Sequence, residues 1–425
     1  MNYVIIGNST AGIGCAEGIR QLDKKGNITI ISNEPHHTYS RPLISYLLQG
    51  KVTIKGMKYR SDSFYIDNNI TLLSGSSAIK INAEEKTVEL SDNKTIAYDK
   101  LLVATGSRAF VPIIEGIDSV SNKTVFMTLD DAQKLENMIS PDKKVLIIGA
   151  GLIGLKCAEG ILGRVSSVTV VDLAPQILAS ILDKDGAAIV QKCFEEKGVK
   201  FILSQSILRF DQATGKQTYN AFLDDNTAID FDIVVLAAGV RPNTDLLSNI
   251  AEIKRGIVIN ERSETTCNDI YAAGDCTESI DVSSGEQKIM ALLPNAYMQG
   301  ECAGINMAGG NKSFDKAIPM NAIGFMGLHI ISAGNYTGEV YESSNNNTHN
   351  ASSPERTYKK LFYSDNKLNG FIFIGDIEKA GIYTSLIRDK TPLDSIDFEL
   401  ICERPGLMAF TKQARAEKLG GQNGK

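Results

Sequence analysis

The chain has 425 residues, of which 43% are hydrophobic and 22% are charged, and it contains 37 glycines and no tryptophan. This composition is typical of a globular protein of two or three domains, and it excludes collagenous, disordered and disulfide-rich chains. The 50 acidic side chains outnumber the 44 basic ones, and the formal net charge of −6 argues against nucleic-acid binding.

The sequence contains no run of about 20 uninterrupted apolar residues, so we expect no membrane span. The apolar residues 3–6 follow Met1 and Asn2 directly, without the charged segment that begins a signal peptide. The seven cysteines are scattered and no pair has CxxC spacing. We therefore expect no disulfide framework, no metal site and no iron–sulfur site, and these features indicate a cytoplasmic protein.

The N-terminal segment predicts a βαβ unit. An apolar strand at residues 3–6 leads into the turn 7–12 (GNSTAG), where a helix begins, and a second apolar strand at 27–32 is followed by Glu34. In such a unit the glycines permit a tight turn and the close approach of a pyrophosphate, and the acid accepts hydrogen bonds from a ribose. Ser9 occupies the position of the middle glycine, and a side chain of this size still permits close approach.

The middle of the chain repeats this pattern. A strand at residues 144–148 leads into the turn 149–154 (GAGLIG), and a strand at 167–171 is followed by Asp172. Both halves end in a strand that runs into a glycine turn, at residues 100–106 and 232–239. One GxGxxG motif is weak evidence for a nucleotide, but two copies in a βαβ context, each followed by an acid, predict two dinucleotide sites.

The last hundred residues have a different pattern. Alternating strands follow residue 313, and residues 359–374 predict a hairpin around Asp365 and Asn366. Residues 343–353 are a polar insert rich in Asn and Ser. The C-terminal tail has two interpretations, a solvated terminus or a basic arm that docks on a partner. Its basic residues are Arg404, Lys412, Arg415, Lys418 and Lys425.

Several motifs resemble one family. Residues 265–275 (TTCNDIYAAGD) are similar to the second flavin motif of the FAD-dependent pyridine nucleotide oxidoreductases. Residues 39–43 (YSRPL), 321–325 (NAIGF) and 370–385 resemble the branch of rubredoxin-NAD reductases and nitrite reductase flavoproteins. The resemblance covers roughly residues 1–395. It implies an α/β fold with two Rossmann-like dinucleotide-binding domains, as in glutathione reductase, and a small C-terminal α+β domain.

The resemblance also implies domain limits and an FAD site. The implied domains are a discontinuous FAD-binding domain (1–110 and 245–313), an NAD(H)-binding domain (111–244), a C-terminal α+β domain (314–400) and a basic tail (401–425). The residues expected to contact FAD are Gly7, Ser9, Thr10, Ala11, Gly12, Glu34, Arg41, Pro42, Ala78, Thr105, Gly106, Asp275, Asn295 and Phe325. For Phe325, packing in the core is the alternative.

The second glycine turn is implied to bind NAD(H). The residues expected there are Gly149, Gly151, Leu152, Ile153, Gly154, Asp172 and Gly239. Asp172 would repel the 2′-phosphate of NADPH, and residues 173–176 (LAPQ) supply no arginine to bind it. The sequence therefore favours NADH.

We expect no catalytic side chain, because hydride passes between the two cofactors themselves. Disulfide reductases of this fold carry a reactive cysteine early in the FAD domain, whereas here no cysteine lies between Cys15 and Cys157. Electrons are therefore expected to leave the flavin directly. Some relatives pair a lysine with a glutamate near the flavin, and this chain departs from that pattern with Tyr46 and Lys156.

Two functions fit these features. In the first, the chain passes electrons between NADH and a one-electron carrier protein such as rubredoxin or ferredoxin. In the second, it is the NAD-reducing flavin subunit of a larger 2-oxoacid oxidoreductase of the phenylglyoxylate dehydrogenase type, and it receives electrons from iron–sulfur subunits. A flavin-binding regulator is the weakest hypothesis, because two nucleotide sites would then have no purpose. The C-terminal domain of the family can contribute to dimerisation, so a homodimer is a further expectation.

Overall fold

The computed structural model describes residues 1–212, 218–343, 356–403, 405–411, 413 and 415. Residues 344–353 of the predicted polar insert, and Arg404, Lys412, Lys418 and Lys425 of the predicted tail, lie outside these described residues. The α-helices of the described part are α1 (Thr10–Leu22), α2 (Ile44–Leu48), α3 (Phe64–Asp67), α4 (Leu129–Met138), α5 (Leu152–Ile161), α6 (Lys184–Glu195), α7 (Leu293–Met307), α8 (Ala380–Arg388) and α9 (Phe398–Glu403).

The strands of the described part are β1 (Asn2–Ile6), β2 (Asn27–Ser32), β3 (Ile70–Ser74), β4 (Ala78–Asn82), β5 (Thr87–Leu90), β6 (Thr95–Ala97), β7 (Lys100–Val103), β8 (Ser107–Ala109), β9 (Lys123–Val125), β10 (Lys144–Ile148), β11 (Ser167–Asp172), β12 (Val199–Leu203), β13 (Ile207–Gln212), β14 (Tyr219–Leu223), β15 (Ala228–Phe231), β16 (Ile233–Leu236), β17 (Val240–Pro242), β18 (Ile257–Val258), β19 (Ile270–Ala272), β20 (Thr277–Ile280), β21 (Gln287–Lys288), β22 (Met320–Phe325), β23 (Leu328–Gly334), β24 (Glu339–Ser343), β25 (Tyr358–Ser364) and β26 (Lys367–Ile374).

These elements form two compact units. The first consists of Met1–Ser279 and Lys288–Phe314, and the second consists of Ile280–Gln287 and the described residues from Asp315 onward. Among the described residues, no helix combines the length and the apolar character that a membrane span requires.

A five-stranded parallel sheet with the order β19-β7-β1-β2-β3 forms one half of the first unit. Its central strand β1 carries Tyr3, Val4, Ile5 and Ile6, which are at most 6% exposed. Continuous apolar strands of this kind are typical of a parallel sheet that is covered on both faces. Helix α1 connects β1 to β2, so these elements form the predicted βαβ unit.

Helix α7 packs against α1 so closely that their backbones touch. A Cβ atom added to Gly300 would clash with the carbonyl oxygen of Ala11, and a Cβ atom added to Gly304 would clash with that of Cys15. Only glycine permits this approach. The contact holds the first turns of α1 in a fixed position relative to α7.

A second five-stranded parallel sheet, with the order β12-β11-β10-β16-β9, repeats the first arrangement. Strand β10 lies between β11 and β16 as β1 lies between β2 and β7, and α5 follows β10 as α1 follows β1. The internal repeat of the sequence therefore corresponds to two Rossmann-like halves. This confirms the predicted fold class.

Smaller antiparallel sheets lie beside the two parallel ones. They comprise β4-β5-β6, β13-β14-β15 and the pair β8-β17. The pair β8-β17 joins the segments that follow the last strands of the two halves, with Ser107 opposite Pro242. The two glycine turns at Gly106 and Gly239 therefore lie next to this short ladder.

The second unit is built on the antiparallel sheet β22-β23-β26-β25-β24. Strands β25 and β26 are joined at Asp365 and Asn366, whose φ angles of 48° and 60° are those of a tight two-residue hairpin turn. Helix α8 covers the sheet through Tyr383, which contacts the rings of Phe371 and Phe373. The predicted hairpin and the small C-terminal domain are therefore confirmed.

Candidate functional site

A cleft of about 510 Å³ opens in the first unit at the carboxyl ends of β1, β2, β7 and β19. Such a crevice is where open α/β sheets bind their ligands. Ten of the residues predicted to contact FAD line it: Gly7, Ser9, Thr10, Ala11, Glu34, Arg41, Ala78, Thr105, Gly106 and Asp275. The cleft is therefore the place where the sequence-predicted FAD residues come together.

The turn between β1 and α1 leaves no room for side chains at two positions. Gly7 has a φ of +121°, and a Cβ atom there would clash with the carbonyl oxygen of Ala104. A Cβ atom on Gly12 would clash with the carbonyl oxygen of Gly7. The first hydrogen bond of α1 runs from the Ile13 amide to Ser9, so the amides before Ile13 are free to face an anion.

Glu34 lies just beyond β2 and both of its carboxylate oxygens accept hydrogen bonds. The Tyr39 hydroxyl donates to Oε2 at 2.6 Å, and the Arg41 guanidinium donates to Oε1. Arg41 also donates to the carbonyl oxygen of Met127 at 3.2 Å. The Glu34 side chain is only 14% exposed, so this carboxylate is held at the wall of the cleft.

Asp275 is a partly buried carboxylate that also lines the cleft. It follows β19 and Gly274, and Ser107 donates a hydrogen bond of 3.0 Å to its Oδ2. Burial raises the pKa of Asp275, and the hydrogen bond from Ser107 and the charge of Arg41 partly oppose that rise. A carboxylate in this position can accept hydrogen bonds from sugar-like hydroxyls.

Thr105 and Asn243 fix the turn beside Asp275. The Thr105 hydroxyl donates to the backbone oxygen of Asn243 at 2.6 Å, and the Asn243 side-chain amide donates back to the Thr105 carbonyl at 2.9 Å. These hydrogen bonds connect the segment after β7 with the segment after β17. They fix the turn at Gly106, whose φ is +65°.

Four residues predicted for FAD do not line the cleft. Gly12 packs against the backbone of Gly7, and Pro42 lies next to Arg41 in a short 3-10 turn. Asn295 is buried in the first turn of α7. Phe325 is fully buried within the second unit, and its contact with FAD stays a prediction.

The second glycine turn has the geometry of the first. Gly149 has a φ of +114°, and a Cβ atom there would clash with the carbonyl oxygen of Ala237. A Cβ atom on Gly154 would clash with the carbonyl oxygen of Gly149, as at Gly12 in the first turn. The two turns are therefore the same structure built twice.

Asp172, the last residue of β11, lies against this second turn. Its Oδ2 accepts a hydrogen bond of 2.6 Å from the Ala150 amide, and its Oδ1 accepts one of 2.7 Å from the Ala174 amide. Gly151 precedes α5, and Leu152 and Ile153 form its first turn. Gly239 is exposed in the turn after β16, the strand that pairs with β10.

Tyr46 and Lys156 contact each other. The ammonium group of Lys156 lies 5.3 Å from the centre of the Tyr46 ring and 2.7 Å from Oε2 of Glu159. The Lys156 side chain is 17% exposed, so it is not a freely solvated residue. A cation–π contact occupies this position between α2 and α5.

A smaller recess of about 350 Å³ adjoins the cleft. It shares Thr10 and Leu293 with the cleft, and its other walls are formed by Ser40, Tyr59, Pro294, Tyr297 and Met298. These apolar and aromatic walls suit a ring or an apolar group rather than a phosphate.

All seven cysteines lie in the described part of the chain, none of them forms a disulfide, and none lines the cleft. Cys15, Cys157 and Cys276 are buried, and burial raises the pKa of each thiol. Protonated buried thiols are poor nucleophiles. The arrangement therefore gives the cleft no reactive cysteine.

Sequence reasoning missed three groups that shape the site. Ser107 binds Asp275, Asn243 binds Thr105, and the Tyr39 hydroxyl binds Glu34. Ser107 comes directly after Gly106, and Asn243 comes soon after Gly239, so their proximity in sequence to these two glycines was a usable signal. For Tyr39, the short sequence distance to Glu34 was the corresponding signal.

Comparisons with known proteins give the family. The family model described as pyridine nucleotide-disulphide oxidoreductase matches residues 1–300, and the rubredoxin NAD+ reductase C-terminal domain matches residues 319–391. Over 403 residues the chain is 32% identical to the epsilon subunit of NADH-dependent phenylglyoxylate dehydrogenase from Aromatoleum evansii, with 92% of this chain and 93% of that protein covered.

Two further similarities support this result. The chain is 27% identical over 399 residues to the NADH-rubredoxin oxidoreductase of Clostridium acetobutylicum, with 92% of this chain and 96% of that protein covered. The crystal structure of the covalent putidaredoxin reductase–putidaredoxin complex has the same fold, with a TM-score of 0.85, 24% identity and coverage of 95% and 96% of the two chains.

The matches agree with the duplicated glycine turns, and they confirm FAD and NAD(H) as the cofactors expected from the sequence. The residues of the cleft also fit FAD, because the turn at Gly7 admits a close anion and the carboxylates of Glu34 and Asp275 suit hydroxyl groups. The chain belongs to the pyridine nucleotide-disulphide oxidoreductase family and is an FAD-dependent oxidoreductase of NAD(H).

Proposed function

We propose that this chain passes electrons from NADH through FAD to a small iron–sulfur carrier protein such as rubredoxin or ferredoxin. The observation that carries the proposal is that both glycine turns lie in one unit and that the cleft at the first turn has no cysteine at its walls. Without a thiol relay, electrons pass from the flavin directly to the acceptor. The similarity to the NADH-rubredoxin oxidoreductase of Clostridium acetobutylicum supports a carrier of this class.

The proposal assigns FAD to the first cleft. Glu34 accepts hydrogen bonds from the adenosine ribose, the amides at the start of α1 bind the pyrophosphate, and Asp275 accepts hydrogen bonds from the ribityl chain. The other predicted FAD residues that line the cleft contribute its walls and backbone. Gly12, Pro42, Asn295 and Phe325 lie outside that lining, and their contacts with FAD stay predictions. In this assignment residues 1–110 and 245–313 form the FAD-binding domain, residues 314–400 the C-terminal domain and residues 401–425 a tail.

The proposal assigns NAD(H) to the second turn, within residues 111–244. Gly149, Gly151 and Gly154 let the pyrophosphate approach the backbone, and Asp172 accepts hydrogen bonds from the adenosine ribose. Since Asp172 is held by two backbone amides, its negative charge stays beside the turn and disfavours a 2′-phosphate. NADH is therefore the proposed donor.

Bound FAD supplies the hydride acceptor and the capacity to release electrons singly. The chain's own residues shape the site that binds and orients the cofactor. The Thr105–Asn243 hydrogen bonds hold the turn at Gly106, and Ser107 orients the Asp275 carboxylate. The start of α7 adds the positive end of a helix dipole near Asn295, which suits negative charge on a bound ring. No side chain is required to exchange a proton with a substrate.

The test is anaerobic reduction of oxidised rubredoxin and of oxidised ferredoxin by NADH, with the FAD-loaded chain in catalytic amount. We expect reduction of at least one carrier at about 1 per second or faster, and little activity with NADPH. Bleaching of the flavin by NADH without reduction of either carrier would contradict the proposal.

One observation favours a second function. The relative that covers nearly all of both chains at 32% identity is a subunit of NADH-dependent phenylglyoxylate dehydrogenase. In this second function the chain is the flavin subunit of a 2-oxoacid oxidoreductase, which takes electrons from iron–sulfur subunits and reduces NAD+. Native purification separates the two, since stoichiometric iron–sulfur chains support the complex and a free monomer or homodimer supports the stand-alone reductase.

We also propose a cytoplasmic location for the chain. The seven cysteines, none of which forms a disulfide, support it, because reduced thiols persist in that compartment.

A further inference from the structure

The inference concerns Tyr39, which lies between Glu34 and the start of α4. Its hydroxyl donates to Oε2 of Glu34 at 2.6 Å and accepts a hydrogen bond of 2.9 Å from the amide of Leu129. A backbone amide can only donate, so the single proton of the Tyr39 hydroxyl is directed to the carboxylate. Burial and the Glu34 charge raise the pKa of Tyr39, so that proton stays on the phenol at neutral pH.

Leu129 is the first residue of α4, and an amide at that position has no partner inside the helix. Tyr39 supplies the missing acceptor. The segment between β2 and α2, which contains Tyr39, contacts the start of α4 at two more points. His36 lies 2.6 Å from Asp130, and Arg41 donates a hydrogen bond to Met127. The Glu34 carboxylate is thus connected to a helix that begins 95 positions later in the sequence.

The two donors to Glu34 are not equivalent. Arg41 is 34% exposed and shares its guanidinium with Met127, so an entering ligand can redirect it. Tyr39 is 9% exposed and fixed by the Leu129 amide, so it cannot turn away without leaving that amide unpaired. A carboxylate has about four lone-pair positions, so Glu34 retains acceptor capacity for a ribose while Tyr39 stays bound.

We propose that Tyr39 is a positioning residue that holds Glu34 in the orientation that accepts the adenosine ribose, and that through this chain of bonds the adenosine half of FAD stabilises the start of α4. The proposal rests on the assignment of Glu34 to that ribose. It gives Tyr39 a role in selecting FAD over flavins that lack an adenosine, such as FMN.

The test uses the full-length chain from which FAD has been removed, and the substitution Tyr39→Phe, which keeps the buried ring and removes the hydroxyl. Calorimetry gives the dissociation constants of ADP and of FMN. We expect the ADP constant to rise about tenfold, the range for loss of a hydrogen bond to a charged group. The FMN constant should stay within about twofold, since FMN does not reach Glu34.

Tyr219→Phe is the matched control. Tyr219 is also buried, and its hydroxyl also bonds a backbone amide and a side chain, both of Ser121. Its removal should leave both constants unchanged. An unchanged ADP constant in Tyr39→Phe, or an equal loss for ADP and FMN, overturns the proposal, because a general loss of structure would affect both ligands.

A second measurement needs no substitution. ADP binding to the wild-type chain should slow hydrogen exchange of the Leu129 amide, and an exchange rate that ADP does not change overturns the proposal. Failure of Glu34→Gln to weaken ADP binding would instead refute the assignment of Glu34. If Glu34→Gln weakens ADP binding and Tyr39→Phe does not, the assignment stands and only the role of Tyr39 is rejected.

Discussion

Asp172 accepts a hydrogen bond of 2.6 Å from the amide of Ala150, which lies inside the second glycine turn. Its second oxygen accepts a bond from the Ala174 amide, so the carboxylate cannot move away from the turn without losing both. A fixed negative charge beside a dinucleotide turn rejects a 2′-phosphate by charge repulsion. This relationship makes nucleotide preference the most direct test of the second site.

The double substitution Asp172→Ala with Leu173→Arg should shift the preference from NADH toward NADPH. It removes the repelling charge and adds a cation where the exposed Leu173 now lies. We expect the ratio of kcat/KM for NADH to that for NADPH to fall by about 100-fold, through roughly tenfold effects on each nucleotide. Kinetics with ferricyanide as acceptor measure both values.

Asp225→Ala is the control for this change, because Asp225 is also an acid that accepts a backbone hydrogen bond, from Thr227, but lies in an exposed turn. It should leave the ratio unaltered. An undiminished preference for NADH in the double variant would show that the second turn is not the NAD(H) site.

Glu34→Ala should weaken FAD binding without preventing folding. The change removes the acceptor for the adenosine ribose and releases Arg41 and Tyr39, and we expect the FAD dissociation constant to rise by about tenfold or more. Flavin fluorescence released on dilution of the purified protein measures it. Glu136→Ala removes another ion-paired glutamate, the partner of Arg164, and should retain FAD; equal retention in both variants would refute the first site.

Part of this site could be predicted from sequence, and part of it could not. The repeat predicted both glycine turns and both acids, because strand, turn, helix and acid are all local to one βαβ unit. The contact of Tyr46 with Lys156 and the bond of Tyr39 to Leu129 join elements far apart in the sequence. No local pattern predicts them, since they depend on how α2, α4 and α5 pack.

The close contact of α1 and α7 also joins elements that are far apart in the sequence, so no local pattern predicts it. The glycines of α7, Gly300 and Gly304, look like ordinary helix-weakening residues in the sequence. The structure shows why glycine is required at these positions: the carbonyl oxygens of Ala11 and Cys15 leave no space for a side chain.

Two glycines of the second turn should respond differently to alanine. In Gly154→Ala the added Cβ atom clashes with the Gly149 carbonyl, so we expect a loss of about 2 kcal/mol in the free energy of unfolding. Gly151 has no atom within 4 Å of an added Cβ, so Gly151→Ala should keep its stability and raise the KM for NADH about tenfold by crowding the pyrophosphate.

Urea unfolding and NADH kinetics on both glycine variants test this pair of expectations. A stable Gly154→Ala variant would contradict the packing argument. A normal KM in Gly151→Ala would contradict the proposed route of the pyrophosphate.

Asp275 and Asp269 should give stability changes of opposite sign with pH. Burial raises the pKa of Asp275 in the folded protein, so its charged form opposes folding, and this cost is absent below the unfolded pKa and grows as pH rises through the folded pKa. In the FAD-free chain, Asp275→Asn should therefore be more stable than wild type at pH 7, with the gain shrinking as pH falls toward about 4.

Asp269 provides the opposite case. Hydrogen bonds from Lys100 and Lys86 lower its pKa, so its contribution to stability is present above the unfolded pKa and is lost as pH falls through the folded pKa. Asp269→Asn should be less stable than wild type at pH 7, with the loss fading in acid. Urea unfolding of both FAD-free variants at several pH values measures these changes in the free energy of unfolding. A loss of stability at pH 7 in Asp275→Asn would contradict the prediction that the charged Asp275 carboxylate destabilises the FAD-free fold.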